Sequence, residues 1–159
     1  MEERFMREAI AEARMAAEAG EIPIGAVIVK DGKIVGRGRN CAEEAKDPTC
    51  HAEMLAIKDA CRNLGAWRLT GCDMYVTLEP CSMCAGAIVL ARIDRLYIGT
   101  EDPKGGACVS LYNITADERL NHRVDQTVGI LKDECSDMLK SFFRDLRKRP
   151  KKNPEDISK

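Results

Sequence analysis

The sequence predicts an α/β protein, a three-layer α/β/α sandwich around one mixed five-stranded sheet. Three observations carry that expectation. Strand-like and helix-like periodicities follow one another in the order αββαβαβ, with a further short strand-like run and a terminal helix. The 159 residues suit one domain with a single real core. One helical segment, Cys81 to Ala91, is apolar on nearly every side, so it must be buried against a sheet or a partner chain.

The elements follow in order. Glu2 to Ala19 reads as an amphipathic helix with Phe5, Ala9, Ala13, Ala16 and Ala17 on its apolar face, and Gly20 is its stop. Ile24 to Lys30 and Lys33 to Arg39, joined by Asp31-Gly32, read as a β-hairpin. Asn40 to Cys50 is polar and irregular. His51 to Leu64 is a second helix, with Gly65 past its end. Cys72 to Leu78 is a strand, Cys81 to Ala91 the apolar helix, and Asp94 to Gly99 a strand. Glu101 to Ser110 is loop-like, and Val128 to Leu131 reads as a short strand. Lys132 to Arg149 is the last helix, with Cys135, Met138, Leu139, Phe142, Phe143 and Leu146 on its apolar stripe. Pro150 and Pro154 end it. The expected organisation is one domain over 1–149 and a basic tail over 150–159 without fixed structure.

Eight cysteines could suggest a disulfide framework, but the chain is long, rich in periodic apolar segments, and opens on residues of both charges rather than a secretory signal. No run approaches the length of a membrane span. A reduced, cytoplasmic protein is expected. The net charge of −1 is unevenly placed: Lys140 to Lys159 carries eight Lys/Arg against three Asp/Glu, a balance of +5, and the preceding residues carry −6. A basic end on an acidic body suggests an anionic partner such as nucleic acid.

The chemistry lies in His51-Ala52-Glu53 and Pro80-Cys81-Ser82-Met83-Cys84. One imidazole and two thiolates are three good zinc ligands, and a three-ligand site keeps a position open for water. Cys81 and Cys84, at i and i+3 of a helix start, share one face, where the helix N-terminus favours thiolates. Pro80 fits that start. Glu53 is then the group that moves protons to and from the water, and the chemistry is hydrolytic. His122, Cys41, Cys50, Cys72 and Cys108 could each supply a fourth ligand and close the site, with Cys50 the strongest contender beside His51.

The pattern H-x-E…P-C-x-x-C marks zinc nucleobase deaminases. From about Phe5 to Arg149 the chain resembles the bacterial tRNA-specific adenosine deaminases of the cytidine deaminase superfamily. The resemblance rests on Glu21-Ile22-Pro23-Ile24-Gly25-Ala26-Val27, on Asp47-Pro48-Thr49-Cys50-His51-Ala52-Glu53, and on Tyr75 through Cys81 with Cys84-Ala85-Gly86-Ala87. Asp102-Pro103-Lys104-Gly105-Gly106, Leu120-Asn121-His122-Arg123 and Phe142-Phe143-Arg144 resemble the tRNA-acting branch. The resemblance implies a cytidine-deaminase-like fold, one Zn²⁺ per subunit and a homodimer. The implied reaction converts adenosine to inosine at wobble position 34 of a tRNA anticodon, usually an arginine tRNA. It also implies that Asn40 holds the flipped nucleotide and Asp102 the anticodon loop. Ala52, Leu78, Lys104, His122, Arg123, Phe143 and Arg144 complete the candidate substrate contacts. Cys50, where the family commonly has Ala, and Val109, often Gly, are departures.

The expected mechanism uses a zinc-activated water as nucleophile at C6 of adenine and Glu53 as proton shuttle. Two other readings stand beside it. One is a zinc deaminase of a free base or nucleoside, guanine or cytosine; the basic terminal helix and the Asp102 to Gly106 loop argue against it. The other is a catalytically silent RNA-binding subunit with structural zinc, against which Glu53 argues.

Overall fold

The Asp31-Gly32 turn sets the first strand pairing. Both residues are left-handed, at φ 51 and 75, the two-residue turn whose twist matches that of the flanking strands. It joins β1 (Gly25–Lys30) to β2 (Lys33–Arg39). The computed structural model describes residues 2–149, and the tail expected over 150–159 lies outside them. The other edge of β1 pairs antiparallel with β3 (Cys72–Leu78); β4 (Arg95–Thr100) and β5 (Asp125–Val128) then add in parallel. The sheet is mixed and five-stranded, in the order β2-β1-β3-β4-β5.

Strand alternation divides the core in two. Ala26 and Ile28, Met74 and Val76, and Leu96 and Ile98 point to one face, where α3 (Ala52–Leu64) and α4 (Ser82–Leu90) pack. Val27 and Val29, Tyr75 and Tyr97 point to the other, where α1 (Glu2–Glu18) and α5 (Lys132–Arg147) lie. Tyr75 and Tyr97 stack with ring centroids 4.5 Å apart, and Phe5 of α1 lies 5.4 Å from Tyr75. With helices on both faces, the central strands are buried throughout, which is why they read as continuous apolar runs. This is the expected three-layer sandwich.

The edge strand β2 is covered rather than exposed. Asp59 of α3 accepts the Arg37 amide at 2.9 Å, and the Asn63 amide donates to the Val35 carbonyl at 2.8 Å. The helix can come this close because Gly36 and Gly38 present no side chain to it. A Cβ at Gly38 would lie 2.1 Å from the Ala52 carbonyl oxygen, and one at Gly36 2.5 Å from that of Ala56. Gly38→Ala is therefore expected to push out the first turn of α3 and to lower stability by about 1–3 kcal/mol, read as a lower urea midpoint at unchanged m-value.

Two segments differ from the sequence reading. The last strand is Asp125–Val128, not Val128 to Leu131. The Gly129 and Ile130 amides both reach the Ile98 carbonyl, at 2.9 and 3.3 Å, and Leu131 is left-handed at φ 51 as the N-cap of α5. The apolar run Ile130-Leu131 packs against the Phe5 cluster as the turn into that helix. The true strand lies at the sheet edge, and of its residues only Val128 is apolar, packing against the core. Within the segment read as irregular, Ala42–Ala45 forms one short helix, α2. The buried Glu21 carboxylate accepts the Glu43 and Glu44 amides at 3.2 and 3.0 Å. A side chain about twenty residues away caps this turn, so no local pattern announces it.

Candidate active site

The topology brings two helix N-termini to one rim. β2 runs directly into the segment before α3, and β3 directly into α4, on the same face of the sheet. His51 is the N-cap of α3, at φ −87 and ψ 154, and Cys81 the N-cap of α4, at φ −73 and ψ 177. Neither side chain caps its own helix, so both are free to face each other. Pro80 stands one residue outside the N-cap, and Cys84 is in the first turn of α4.

The His51 Nδ1 atom lies 3.6 Å from the Sγ of Cys81 and 3.6 Å from that of Cys84. All three ligand atoms lie within 4.8 Å of one another, and no fourth residue joins this group among the described residues. A tetrahedral zinc ion, with Zn–S of about 2.3 Å and Zn–N of about 2.0–2.1 Å, separates neighbouring S and N ligands by about 3.6 Å. The donor set and its spacing thus fit a metal of this kind with one position left open. Cys50 is half-buried, while Cys72 and Cys108 are buried; none of them, nor Cys41, belongs to the group. All eight cysteines are free.

The charges follow from these contacts. The Cys84 thiol bonded to Cys81 holds the Cys81 thiol down at about 5, and the same bond, with burial, pushes Cys84 up. A cation between the sulfurs would favour the thiolate form of both. Glu53, in the first turn of α3, is only 4 % exposed. Burial pushes its carboxyl up to about 7, and a bound dication would draw it down again. A carboxyl poised this way can accept and return a proton near neutral pH. It lies outside the ligand group although it touches Cys84.

A cleft of about 750 Å³ opens between the ends of β3 and β4 and α5; its lining includes Leu78, near Cys81 in the chain, but none of His51, Glu53, Cys81 and Cys84. Leu78, Asp102, Lys104 and Phe143 of the sequence-predicted contacts line it, with Ile22, Lys140, Leu146 and Arg147. Phe143 is 40 % exposed, so it belongs to the cleft wall and not to the core, whereas Cys135 and Met138 of the same helix pack on the sheet. Asn40 is at the same rim. Its amide reaches the Ile22 carbonyl at 3.5 Å, and its oxygen accepts the Ala42 amide at 3.4 Å. Ala52 is buried as the first residue of α3. Arg144 points away from the cleft lining and donates to the Ser141 hydroxyl at 3.0 Å. His122 and Arg123 stand apart: a His122 ring nitrogen meets the Ile93 carbonyl at 2.6 Å, before β4 begins, at the opposite end of the sheet.

Sequence reasoning passed over two buried carboxylates, Glu21 and Glu79, each 2 % exposed. Both are flanked by motif residues, and an acid inside an otherwise apolar run was the available signal.

The comparisons agree with this geometry. A family model of MafB19-like deaminases matches residues 1–147. A tRNA-specific adenosine deaminase of Bacillus subtilis (strain 168) is 49 % identical over 157 residues, covering 99 % of this chain and 98 % of that protein. One from Aquifex aeolicus (strain VF5) is 50 % identical over 145 residues, covering 91 % and 95 %. A solved structure from a study of A-to-I editing by tRNA:A34 deaminases at the wobble position of transfer RNA is 48 % identical with a TM-score of 0.82, covering 86 % of this chain and 99 % of that one. With a deaminase family spanning nearly all the described residues, and relatives alike over almost their whole length, the chain belongs to the bacterial tRNA-specific adenosine deaminases.

Proposed function

We propose that this chain hydrolyses adenosine to inosine at position 34 of a tRNA anticodon, as a zinc-dependent deaminase acting on a cyclic amidine. The observation that carries the reading is the open three-ligand group beside a buried acid that is not one of its members. His51, Cys81 and Cys84 hold one Zn²⁺ per subunit. Zinc bound there would lower the pKa of a bound water toward neutrality and so make hydroxide available at neutral pH. Glu53 takes a proton from the attacking water and delivers it to N1 of the purine, then takes the proton of the new C6 hydroxyl and passes it to the departing amine. Water adds at C6 and ammonia leaves, so the purine gains an oxygen where it had nitrogen.

The cleft supports a nucleic-acid substrate. Lys104, Lys140 and Arg147 offer cations to phosphates, and the exposed ring of Phe143 offers a stacking face. An anticodon loop is single-stranded, so splaying out one nucleotide costs only a few kcal/mol. Asn40, Ala52, Leu78 and Asp102 stand where they can surround that nucleotide, whereas Arg144, His122 and Arg123 can meet only more distant parts of the RNA. An arginine tRNA is the proposed substrate. The proposed working form is a homodimer of single domains over 1–149 in the cytoplasm. The uncovered outer side of α4, where Leu90 is 70 % exposed, suits a second copy, and free thiols suit a reducing compartment. No helix among the described residues is long and apolar enough to cross a membrane.

Incubation with arginine tRNA, other tRNAs, guanine, cytosine and free adenosine tests the reaction. Inosine at position 34 with ammonia release is the expected result. Ammonia from a free base alone would favour the small-molecule deaminase, and RNA binding without ammonia the silent subunit. Metal analysis is expected to find one zinc per chain in Cys50→Ala, Cys72→Ala and Cys108→Ala alike. If any of these empties the site, a closed four-ligand zinc becomes the better description.

A further inference from the structure

The carboxylate of Glu79, two residues before Cys81, is enclosed by one stretch of chain. Its Oε1 accepts the Asp102 amide at 3.1 Å and the Ser110 hydroxyl. Its Oε2 accepts three successive amides, those of Cys108, Val109 and Ser110, at 3.0, 2.9 and 2.9 Å. The Glu79 amide itself donates to the Thr100 carbonyl at 2.9 Å, and the Ala107 amide donates to the Pro80 carbonyl at 2.9 Å. Gly106 lies flat against the carboxylate, where a Cβ would come within 2.3 Å of it. Although burial works to raise it, the Ser110 hydroxyl and the amides hold the Glu79 carboxyl below its ordinary value. The loop from Asp102 to Ser110 is thus wound around one anion, as backbone nests wind around a phosphate.

The two ends of this arrangement have different tasks. On one side the chain continues through Pro80 to Cys81; on the other, the wound loop presents Asp102 and Lys104 to the cleft. We propose that Glu79 is the positioning residue that fixes the Asp102–Lys104 wall of the cleft relative to the Cys81 turn, and so sets how tightly RNA is held rather than how fast it reacts. The inference rests on the reading of the cleft as the RNA face. It also predicts why a carboxylate is needed. Five donors converge on two acceptor oxygens, and a glutamine keeps only one of them while turning an N–H₂ toward the Asp102 amide or toward the three successive amides.

The test is steady-state kinetics of Glu79→Gln on an anticodon stem-loop, with zinc content measured in parallel. KM is expected to rise about tenfold or more, as buried donors lose their acceptor, while kcat stays within about threefold and zinc stays at one per chain. Combined with Lys104→Ala, the KM effect should be markedly less than the product of the two single effects, because Lys104 is already misplaced. A merely structural role would leave the two effects independent. Loss of zinc, a fall in kcat at constant KM, an unchanged KM or full additivity would each overturn the proposal. If Glu79→Gln does not fold, Ser110→Ala decides alone: it removes one donor, and KM should rise by about threefold or more at unchanged kcat. Wild-type protein is the control that separates the two readings. If it fails to deaminate the stem-loop, the RNA reading falls; if it succeeds and the variants match it, only the role of Glu79 falls.

Discussion

Glu53→Ala is expected to keep one zinc per chain and to lose about 10²–10⁴ or more in the single-turnover rate of deamination. In the proposed reaction this carboxyl takes a proton from the attacking water and gives it to N1, then takes the proton of the new C6 hydroxyl and gives it to the leaving amine. Among the described residues no carboxylate belongs to the ligand group, and the Glu53 carboxyl meets Cys84. Burial pushes the Glu53 carboxyl up to about 7, a bound dication would draw it down, and the proposed role needs it as base and acid in turn. Zinc is retained because the ligand atoms come from His51, Cys81 and Cys84 alone. A variant that lost zinc in proportion to activity would make Glu53 a ligand and end the division of roles. His51→Ala is the companion measurement, and it should lose metal and activity together.

The second large effect is expected in RNA binding. Replacing Lys104, Lys140 and Arg147 together by alanine should weaken tRNA binding and lower the slope of log K against log salt by about two units, at about 0.7 per single-strand phosphate contact. All three side chains line the cleft from two elements, the Asp102–Ser110 loop and the outer face of α5. None of the three belongs to the ligand group, so zinc content should not change. Truncation after Asp145, which also removes Arg147, Lys148 and Arg149 with the basic residues that follow, should flatten the salt dependence in the same sense. Affinity and slope equal to those of the intact chain at matched salt would remove the cleft from the RNA face and revive a small-molecule substrate.

The chemical group was legible in the sequence because its spacing is local. His51-x-Glu53 and Cys81-x-x-Cys84 are each set within one helical turn, and turns are determined by neighbours. The central strands were legible for a related reason: β1, β3 and β4 are buried on both faces, so burial leaves an apolar run. β5 was misplaced because an edge strand held by backbone pairing needs no apolar face. The short helix α2 was missed because its cap, Glu21, is remote in the chain. On α5 the apolar stripe and the cleft-facing Phe143 were legible, but the placing of Leu139 and Leu146 in the cleft lining, while Cys135 and Met138 meet the sheet, was not.

Residue types and short spacings pointed to a metal-assisted hydrolytic chemistry, to the helix N-termini that carry its residues and to the layered α/β fold, and the family resemblance added the deaminase reaction. Which side chains share a cleft was decided by long-range packing. The joining of His51 to a cysteine thirty residues on, the winding of 102–110 around Glu79 and the exclusion of His122 from the rim all depend on strand order. A loop has no periodicity to read, and its position is set by whichever distant polar groups satisfy its amides.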